Sequence, residues 1–409
     1  MIKAIKIRLY PTETQINYLS NLFGSCRFVY NKCLAYKKQK YEEENKNVGL
    51  SELGNYFHHD LTKNSDYVWL NEHNTKVLKE NIFHLLSAYR NFFNTGKGFP
   101  NFKSKHDKQT CKFDKQAISS KNVYSDNKIT LTKELKNIKF KCSDKNKGIL
   151  ERNKENIKSA TLSKSSSNKY FLSILIETNE IKILNKSIND IIGIDLGIKD
   201  FVIDSNGNKY ENIKTIRNNQ KKISKLQRSI SRKQKGSKNR NKSRIKLAKY
   251  YEKLNNIKEN YLHEVSNKLI NENQVIVMEN LNVSGMLKNH HLAKSIQELS
   301  LNRFKTMLKY KTEWTGRMLI EVDRYFPSSK LCNNCGYKNV ELELKDREWT
   351  CPECGVHHDR DLNAAINIRK EGERILNLNK KQIPNSIGKL TLMESSGSTL
   401  EEVRREDMV

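Results

Sequence analysis

The chain opens with a strict alternation. Ile5, Ile7 and Leu9 are separated by Lys6 and Arg8, the two-residue period of a half-buried strand, and Pro11 ends it. Thr12 and Gln15 then have capping-box spacing, with Ile16, Leu19, Leu22 and Phe23 at helical intervals behind them. A helix is expected here that resumes past Gly24 and runs toward Glu44. A second long helix is expected from about Asn74 to Asn94, with Val77, Leu78, Ile82, Leu85, Leu86, Tyr89 and Phe93 as its apolar stripe; KGFPNFKSK breaks it. From about 100 to 185 the signals are strands: IKFKC, IKSATLS and FLSILIE, the last two separated by the turn-like SKSSSNKY. A helical segment at 12–95 is thus expected to interrupt a β domain made of 1–11 and 96–185.

Near residue 186 the pattern changes. IIGIDLG reads as a buried strand, and FVIDSNGNKYENI as the next two strands of a meander around a Gly turn. Residues 214–271 read as two helices broken near Lys235–Asn239. QVIVMEN is a further buried strand, followed by a polar stretch from Leu281 to Lys294, a helix to about Trp314 and the strand MLIEVD. With a final acidic helix starting near 360, this order fits an RNase H-like α/β fold over 186–326 and 357–374, interrupted by a small insertion at 327–356. Residues 375–409 lose periodicity and are expected to form a disordered tail.

Charge narrows the partner. Lysine and arginine number 75 against 46 acidic residues, a net +29 over 409 residues. Such an excess repels itself in a compact chain and points to a polyanionic partner, nucleic acid first. No apolar run reaches the ~18 residues of a membrane span. The start MIKAIKIRLYP lacks the apolar core of a secretory leader. A cytoplasmic protein with no membrane partner is expected.

The eight cysteines fall into two groups. Cys26, Cys33, Cys111 and Cys142 are scattered and read as reduced, buried or half-buried thiols. Cys332, Cys335, Cys351 and Cys354 form C-x2-C-x15-C-x2-C, the spacing of a zinc ribbon, with Gly336 and Gly355 placed to close two tight knuckles. One structural zinc is expected. His357 and His358 lie beside it, but four thiolates already fill a tetrahedral site, so they read as scaffold or phosphate-contacting groups.

Three carboxylates stand at topologically informative points. Asp195 ends the strand IIGID, Glu279 ends VIVME, and Asp361 opens the final helix in HDRDLNAAINI. Hard oxygen ligands delivered this way suit two divalent cations, which stabilise the attacking and the leaving oxygen in phosphodiester hydrolysis. Asp359, two residues before Asp361, reads as the cap of that helix. Asp200 and Asp204 read as lying on a strand that points elsewhere or as exposed.

RLYPTETQINYL, CRFVYNKCL, GFPNFKSK, GIDLGIKDF, VMENLNVSGM, FPSSKLCNNCG and CPECGVHHDRDLNAAINI occur in this order along nearly the whole chain. In these motifs it resembles the TnpB family, RNA-guided nucleases encoded by insertion sequences and related to type V CRISPR effectors. The resemblance implies a RuvC-type nuclease domain, a wedge-like β domain carrying a helical recognition insertion, and a zinc ribbon. It further implies a monomeric ribonucleoprotein holding a guide RNA from the transposon end, and double-stranded DNA as target. Asp195, Glu279 and Asp361 match the family's three RuvC acids; Asp195 would bridge two magnesium ions, with Glu279 and Asp361 each holding one. The resemblance places recognition of the motif flanking the target on the helix beginning near Asn74, with Thr75, Lys76, Lys79 and Asn81 on its polar face.

Lysine and arginine greatly outnumber acids on the 214–250 helices, so pairing within the helices cannot absorb them. Arg217, Lys221, Lys225, Arg228, Arg232 and Lys233 are therefore candidate phosphate contacts to the guide–target duplex. The implied activity is RNA-guided cleavage of DNA in support of transposon retention. Two alternatives stand beside it: a nuclease-inactive, RNA-guided repressor and a DDE-type transposase.

Overall fold

The computed structural model describes residues 1–118, 124–125, 127–178, 190–343 and 345–381. The tail expected at 375–409 lies outside them beyond 381, while residues 375–381 continue the final helix, Arg360–Lys381. The chain divides into two compact units, Met1–Ile183 with Thr215–Asn260, and Leu184–Lys214 with Tyr261–Val409. Among the described residues no helix is long and apolar enough to cross a membrane.

In the first unit a seven-stranded antiparallel sheet is built around the N-terminal strand. Ile2–Tyr10 pairs with Tyr170–Glu177 on one side and Ile138–Lys141 on the other. Ile5, Ile7 and Leu9 are buried, as their alternation predicts. The intervening helices are an insertion in sequence because the first strand finds its neighbours more than a hundred residues later.

Helix Glu13–Glu44 starts on the expected reciprocal cap. Gln15 N donates to Thr12 Oγ1 at 3.4 Å, and Thr12 N donates to Gln15 Oε1 at 2.9 Å. It passes Gly24 unbroken and ends at Asn45, which takes the left-handed conformation (φ 51°). Helix Thr75–Thr95 is capped by Asn74 and closed by Gly96 at φ 64°. Its Val77, Leu78, Ile82 and Leu85 are buried with Leu19, Leu22 and Val29 of the long helix in one core. Cys26, Cys33 and Cys111 are buried there and Cys142 half-buried, all as free thiols; burial pushes Cys26 up to about 11 and Cys33 up to about 12.

Thr215–Asn260 groups with this first unit, through helix Gln220–Ser231 and the first part of helix Lys238–Glu272. Glu252 accepts from Ser167 Oγ at 2.5 Å and Lys169 Nζ at 2.8 Å, both in the turn between strands Ile157–Lys164 and Tyr170–Glu177.

The second unit is built on a five-stranded sheet. Its order is Lys209–Glu211, Asp200–Asp204, Ile191–Asp195, Val275–Glu279, Met318–Val322; the last three strands are parallel and the first two antiparallel to their neighbours. The central strands are apolar on both faces because both are covered. Ile276 and Met278 pack with Leu262, Leu269, Phe304 and Met307 on one face; Val275 and Val277 pack with Ile368 and Leu376 of the final helix on the other.

The polar stretch from Leu281 to Lys294 contains helix Val283–Met286 and the start of helix His290–Leu299. The next helix, Leu301–Thr315, is split from it by Ser300 at φ 56°. The reason is local: the side chains of Asn282 and Asn289 cap the two new helices, on Gly285 N and His291 N respectively, and each cap sits inside a segment whose polarity hid it.

Candidate active site

Strand alternation and register bring the first two acids together. Gly193 lies two residues before Asp195, and Val275 and Val277 lie at even spacing before Glu279. All therefore belong to the sheet face that the final helix covers. The two strands are parallel neighbours with Met278 paired to Ile194, so Glu279 and Asp195, one residue on, stand level at their C-terminal ends.

The covering helix approaches closely. A Cβ on Gly193 would fall 2.2 Å from the Ala365 carbonyl oxygen, and one on Gly372 would fall 2.3 Å from a methyl of Val277. Glycine at both places seats Arg360–Lys381 directly on the strands, and Asp361 is in its first turn.

The electrostatics reflect this convergence. Burial, and then the negative charges of Glu279 and Asp361, push Asp195 up to about 7. Burial also raises Glu279, against the donated hydrogen bond of Ser328. Asp361 faces Arg347, with Nη1 3.6 Å from Oδ2. Among the described residues the three carboxylates do not gather as tightly as the zinc-spaced cysteines do.

Asp359 has a different task. Its Oδ1 accepts from the backbone N–H groups of Asp361 (3.0 Å) and Leu362 (3.2 Å), and its Oδ2 from Lys209 Nζ (2.7 Å). Burial raises its carboxyl, but Lys209 and these amides outweigh that and hold it below its ordinary value. It is the helix cap that its position implied. Of the two readings offered for Asp204, the strand position holds and exposure does not: it ends strand Asp200–Asp204, is 1% exposed, and its carboxylate closes the following turn on Asn206 N and Asn208 N, each at 3.0 Å.

The four cysteine sulfurs lie within 4.8 Å of one another, with Cys332–Cys354 and Cys335–Cys351 each at 3.6 Å. Thiolates ~2.3 Å from a tetrahedral zinc stand ~3.8 Å apart, so the cage fits that ion. The two knuckles are alike: Gly336 N donates to Cys332 O and Gly355 N to Cys351 O, both at 2.9 Å, with φ of 81° and 70° at the glycines. His358 is buried against Trp349, its Nδ1 facing Asn333 Nδ2 at 3.5 Å and its Nε2 3.1 Å from Cys332 Sγ. His358 thus lies against a sulfur of the cage as a scaffold group. His357 is exposed, 3.1 Å from Thr350 Oγ1.

Residues 1–46 match a helix-turn-helix domain of the OrfB IS605 family, 173–290 the same family's domain described as "Probable transposase", and 302–368 the Cas12f1-like TNB domain. A Streptomyces pristinaespiralis protein named "Putative RNA-guided DNA endonuclease" is 35% identical over 371 residues, 90% of this chain and 89% of its own. The chain belongs to the TnpB family. InsQ of Escherichia coli K12, which carries the same description, is 27% identical over 92% of this chain and 93% of its own. The fold of this TnpB-family chain is also that of the protein in a Cas12f1–sgRNA–target DNA complex: TM-score 0.55, 14% identity, 90% of this chain and 98% of the other covered. The TNB match takes in all four cysteines and Asp361, so ribbon and third acid belong to one family segment.

The candidate nucleic-acid residues divide. Thr75 and Lys76 are exposed and Lys79 half-buried on the first turns of their helix. Asn81 is not on the polar face: it is 4% exposed, and its amide turns back onto the carbonyls of Val77 (3.4 Å) and Leu78 (3.1 Å). Its neighbours on the stripe are Leu78 and Leu85, three and four residues away, so helical geometry faces it inward. Arg217, Lys221, Lys225, Arg228 and Arg232 are exposed. Lys233 is half-buried and ties the two basic helices together, donating to Ser243 Oγ and lying 3.4 Å from Ser229 Oγ.

Three further residues bear on the site without having been singled out as site residues, two of them inside quoted motifs: Ser328 in FPSSKLCNNCG and Gly193 in GIDLGIKDF. Ser328 and Arg347 touch its acids, and Gly193 seats the helix above it. Only Gly193 carries a signal in the sequence, a lone glycine inside an apolar strand.

Proposed function

We propose that this TnpB-family protein is an RNA-guided DNA endonuclease, in which Asp195, Glu279 and Asp361 form a RuvC-type site on an RNase H-like sheet. The observation that carries the proposal is the level pairing of Asp195 and Glu279 under a helix whose first turn holds Asp361. Strand order and direction in the second unit agree with an RNase H-like layout, and the first unit's sheet with its inserted helices agrees with a wedge and recognition module.

Three hard oxygen donors on one face, the central one raised to about 7 by burial and by its fellow acids, are a donor set that fits magnesium-class cations. When bound, two such ions supply charge neutralisation to the attacking and leaving oxygens of the phosphodiester. Asp195, Glu279 and Asp361 would hold these ions, and Lys209 with Asp359 fixes the turn that presents Asp361. The names of the relatives support a guide RNA and a DNA target, and the +29 charge with the exposed basic helix faces supports phosphate contact; a monomeric ribonucleoprotein is part of the proposal. In its biological setting the cleavage would favour retention of the mobile element.

Asp195→Ala should reduce magnesium-dependent cleavage of a matched DNA to background while leaving RNA binding and guided DNA binding near wild type, since affinity comes from pairing and many basic contacts. Asp359→Ala should cost only about 1 kcal/mol of stability and far less activity. A wild-type complex that binds its matched target and never cuts would make the protein an RNA-guided repressor instead. A triad variant that cuts normally would remove these acids from the chemistry.

A further inference from the structure

Ser328 Oγ donates a hydrogen bond to Glu279 Oε1. Ser328 is 5% exposed and sits in the turn just ahead of the first zinc cysteine, its N–H donating to Phe326 O at 2.8 Å. Its carbonyl accepts from Asn367 Nδ2 at 2.8 Å, and the same amide donates to Leu331 O at 2.7 Å. Asn363 Nδ2 also donates to Leu331 O at 2.7 Å, while Asn363 Oδ1 accepts from the backbone N–H of Asn333, between Cys332 and Cys335, at 2.9 Å. Asn363 and Asn367 are 1% and 5% exposed and one turn apart on the helix that begins beside Asp361. One continuous set of bonds therefore links the root of the zinc ribbon, the helix of the third acid and the carboxylate of the second.

The arrangement costs stability unless it serves orientation. Buried amides lose their hydration and regain it only through well-aligned partners, where an apolar residue would need none. A glutamate's terminal torsion is soft and broadly distributed, so an unassisted Glu279 must lose that freedom whenever it holds a ligand. A fixed hydroxyl on one oxygen removes it beforehand and leaves the other oxygen free to face the site.

We propose that Ser328 is a positioning residue for Glu279, and that Asn363 and Asn367 transmit the folded state of the zinc ribbon to that carboxylate. This rests on Glu279 being a cation-holding acid. Partners of this kind commonly change metal affinity or activity by about 10–100-fold.

The test uses the full-length chain as purified, with Mn2+ alone as probe, read by electron paramagnetic resonance or calorimetry without any nucleic acid. Ser328→Ala is expected to weaken Mn2+ binding about tenfold or more, with zinc still at one per chain, and Ser328→Thr to restore it. Asn367→Ala, which touches no acid, should shift affinity in the same direction. A Ser328→Ala protein that keeps zinc and its melting temperature and binds Mn2+ as wild type overturns the proposal. Should alanine cost the fold, Ser328→Cys, similar in shape with a weaker donor, takes its place: wild-type affinity in that variant likewise overturns the proposal. Glu279→Gln separates the two levels. If it keeps wild-type Mn2+ affinity, the cation-holding reading fails and positioning falls with it. If it loses affinity while Ser328→Ala loses none, only the positioning role falls.

Discussion

Gly193→Ala makes the sharpest demand on this architecture. The new methyl would sit 2.2 Å from Ala365 O, 2.5 Å from Arg369 N and 2.9 Å from Arg369 Cα, all backbone atoms that no rotamer change can move aside. Ordinary contact begins at ~3.4 Å, so helix and strand must separate by roughly 1.2 Å at this point. Overpacking of a tight core costs about 1–3 kcal/mol, and a clash with backbone belongs at the upper end. In a unit of this size ~3 kcal/mol lowers the melting temperature by roughly 6–12 °C.

The same shift moves Asp361 relative to Asp195, and misplacement by ~1 Å can cost about 100-fold in rate. Calorimetry and single-turnover cleavage on a matched target check both effects. Gly54→Ala is the control: nothing lies within 4 Å of its added methyl, so it should leave cleavage unchanged and, being helical, raise stability by up to about 1 kcal/mol. If Gly193→Ala melts and cleaves like wild type, the final helix does not rest on the Asp195 strand as described. If it loses stability but not rate, the packing is right and the placement of Asp361 is not what limits catalysis.

Replacing Cys332 and Cys351 together by serine should abolish stoichiometric zinc and lower thermal stability; elemental analysis that still finds one zinc per chain refutes the cage. Lys311 is buried and donates to Ser266 Oγ, Asn267 Oδ1 and His263 O, and burial, with Arg303 adding to it, brings its ammonium down to about 8. Between pH 8 and its ordinary value of 10.5 the unfolded chain therefore holds a proton that the folded one releases, so this group makes stability rise with pH, by up to about 1.4 kcal/mol per pH unit. Chemical denaturation of wild type and Lys311→Met across that window should show the rise only in wild type, and parallel curves would refute it. Reversing Lys221, Lys225 and Arg228 to glutamate should reduce the salt dependence of RNA binding by roughly two to three in log–log slope, and an unchanged slope would take that helix face out of contact with phosphate.

Much of the site was legible because its chemistry is written locally. The zinc spacing depends on two knuckles of a few residues each, and the helix cap at Asp359 on two backbone amides just after it. The strands ending in Asp195 and Glu279 announce themselves by apolar runs that only a sheet covered on both faces can bury. What one chain position does to its near neighbours follows from torsion angles and periodicity. Asn81 and Lys233 show the limit of that reasoning. Polar identity suggested solvent or phosphate for both, yet one faces the core and bonds its own helix, and the other bridges two helices, because a face is decided by what packs against it.

Only the tertiary structure could decide level and contact between distant segments. The register of Met278 on Ile194, the seat of the final helix at Gly193, and Ser328 reaching Glu279 from 49 residues away all depend on inter-element distances fixed to within an ångström. Periodicity along a chain carries no such information, since the same patterns would survive a one-residue slip or a tilted helix. Close packing of the whole unit does not, and that is what brings the charges of Glu279 and Asp361 to bear on Asp195.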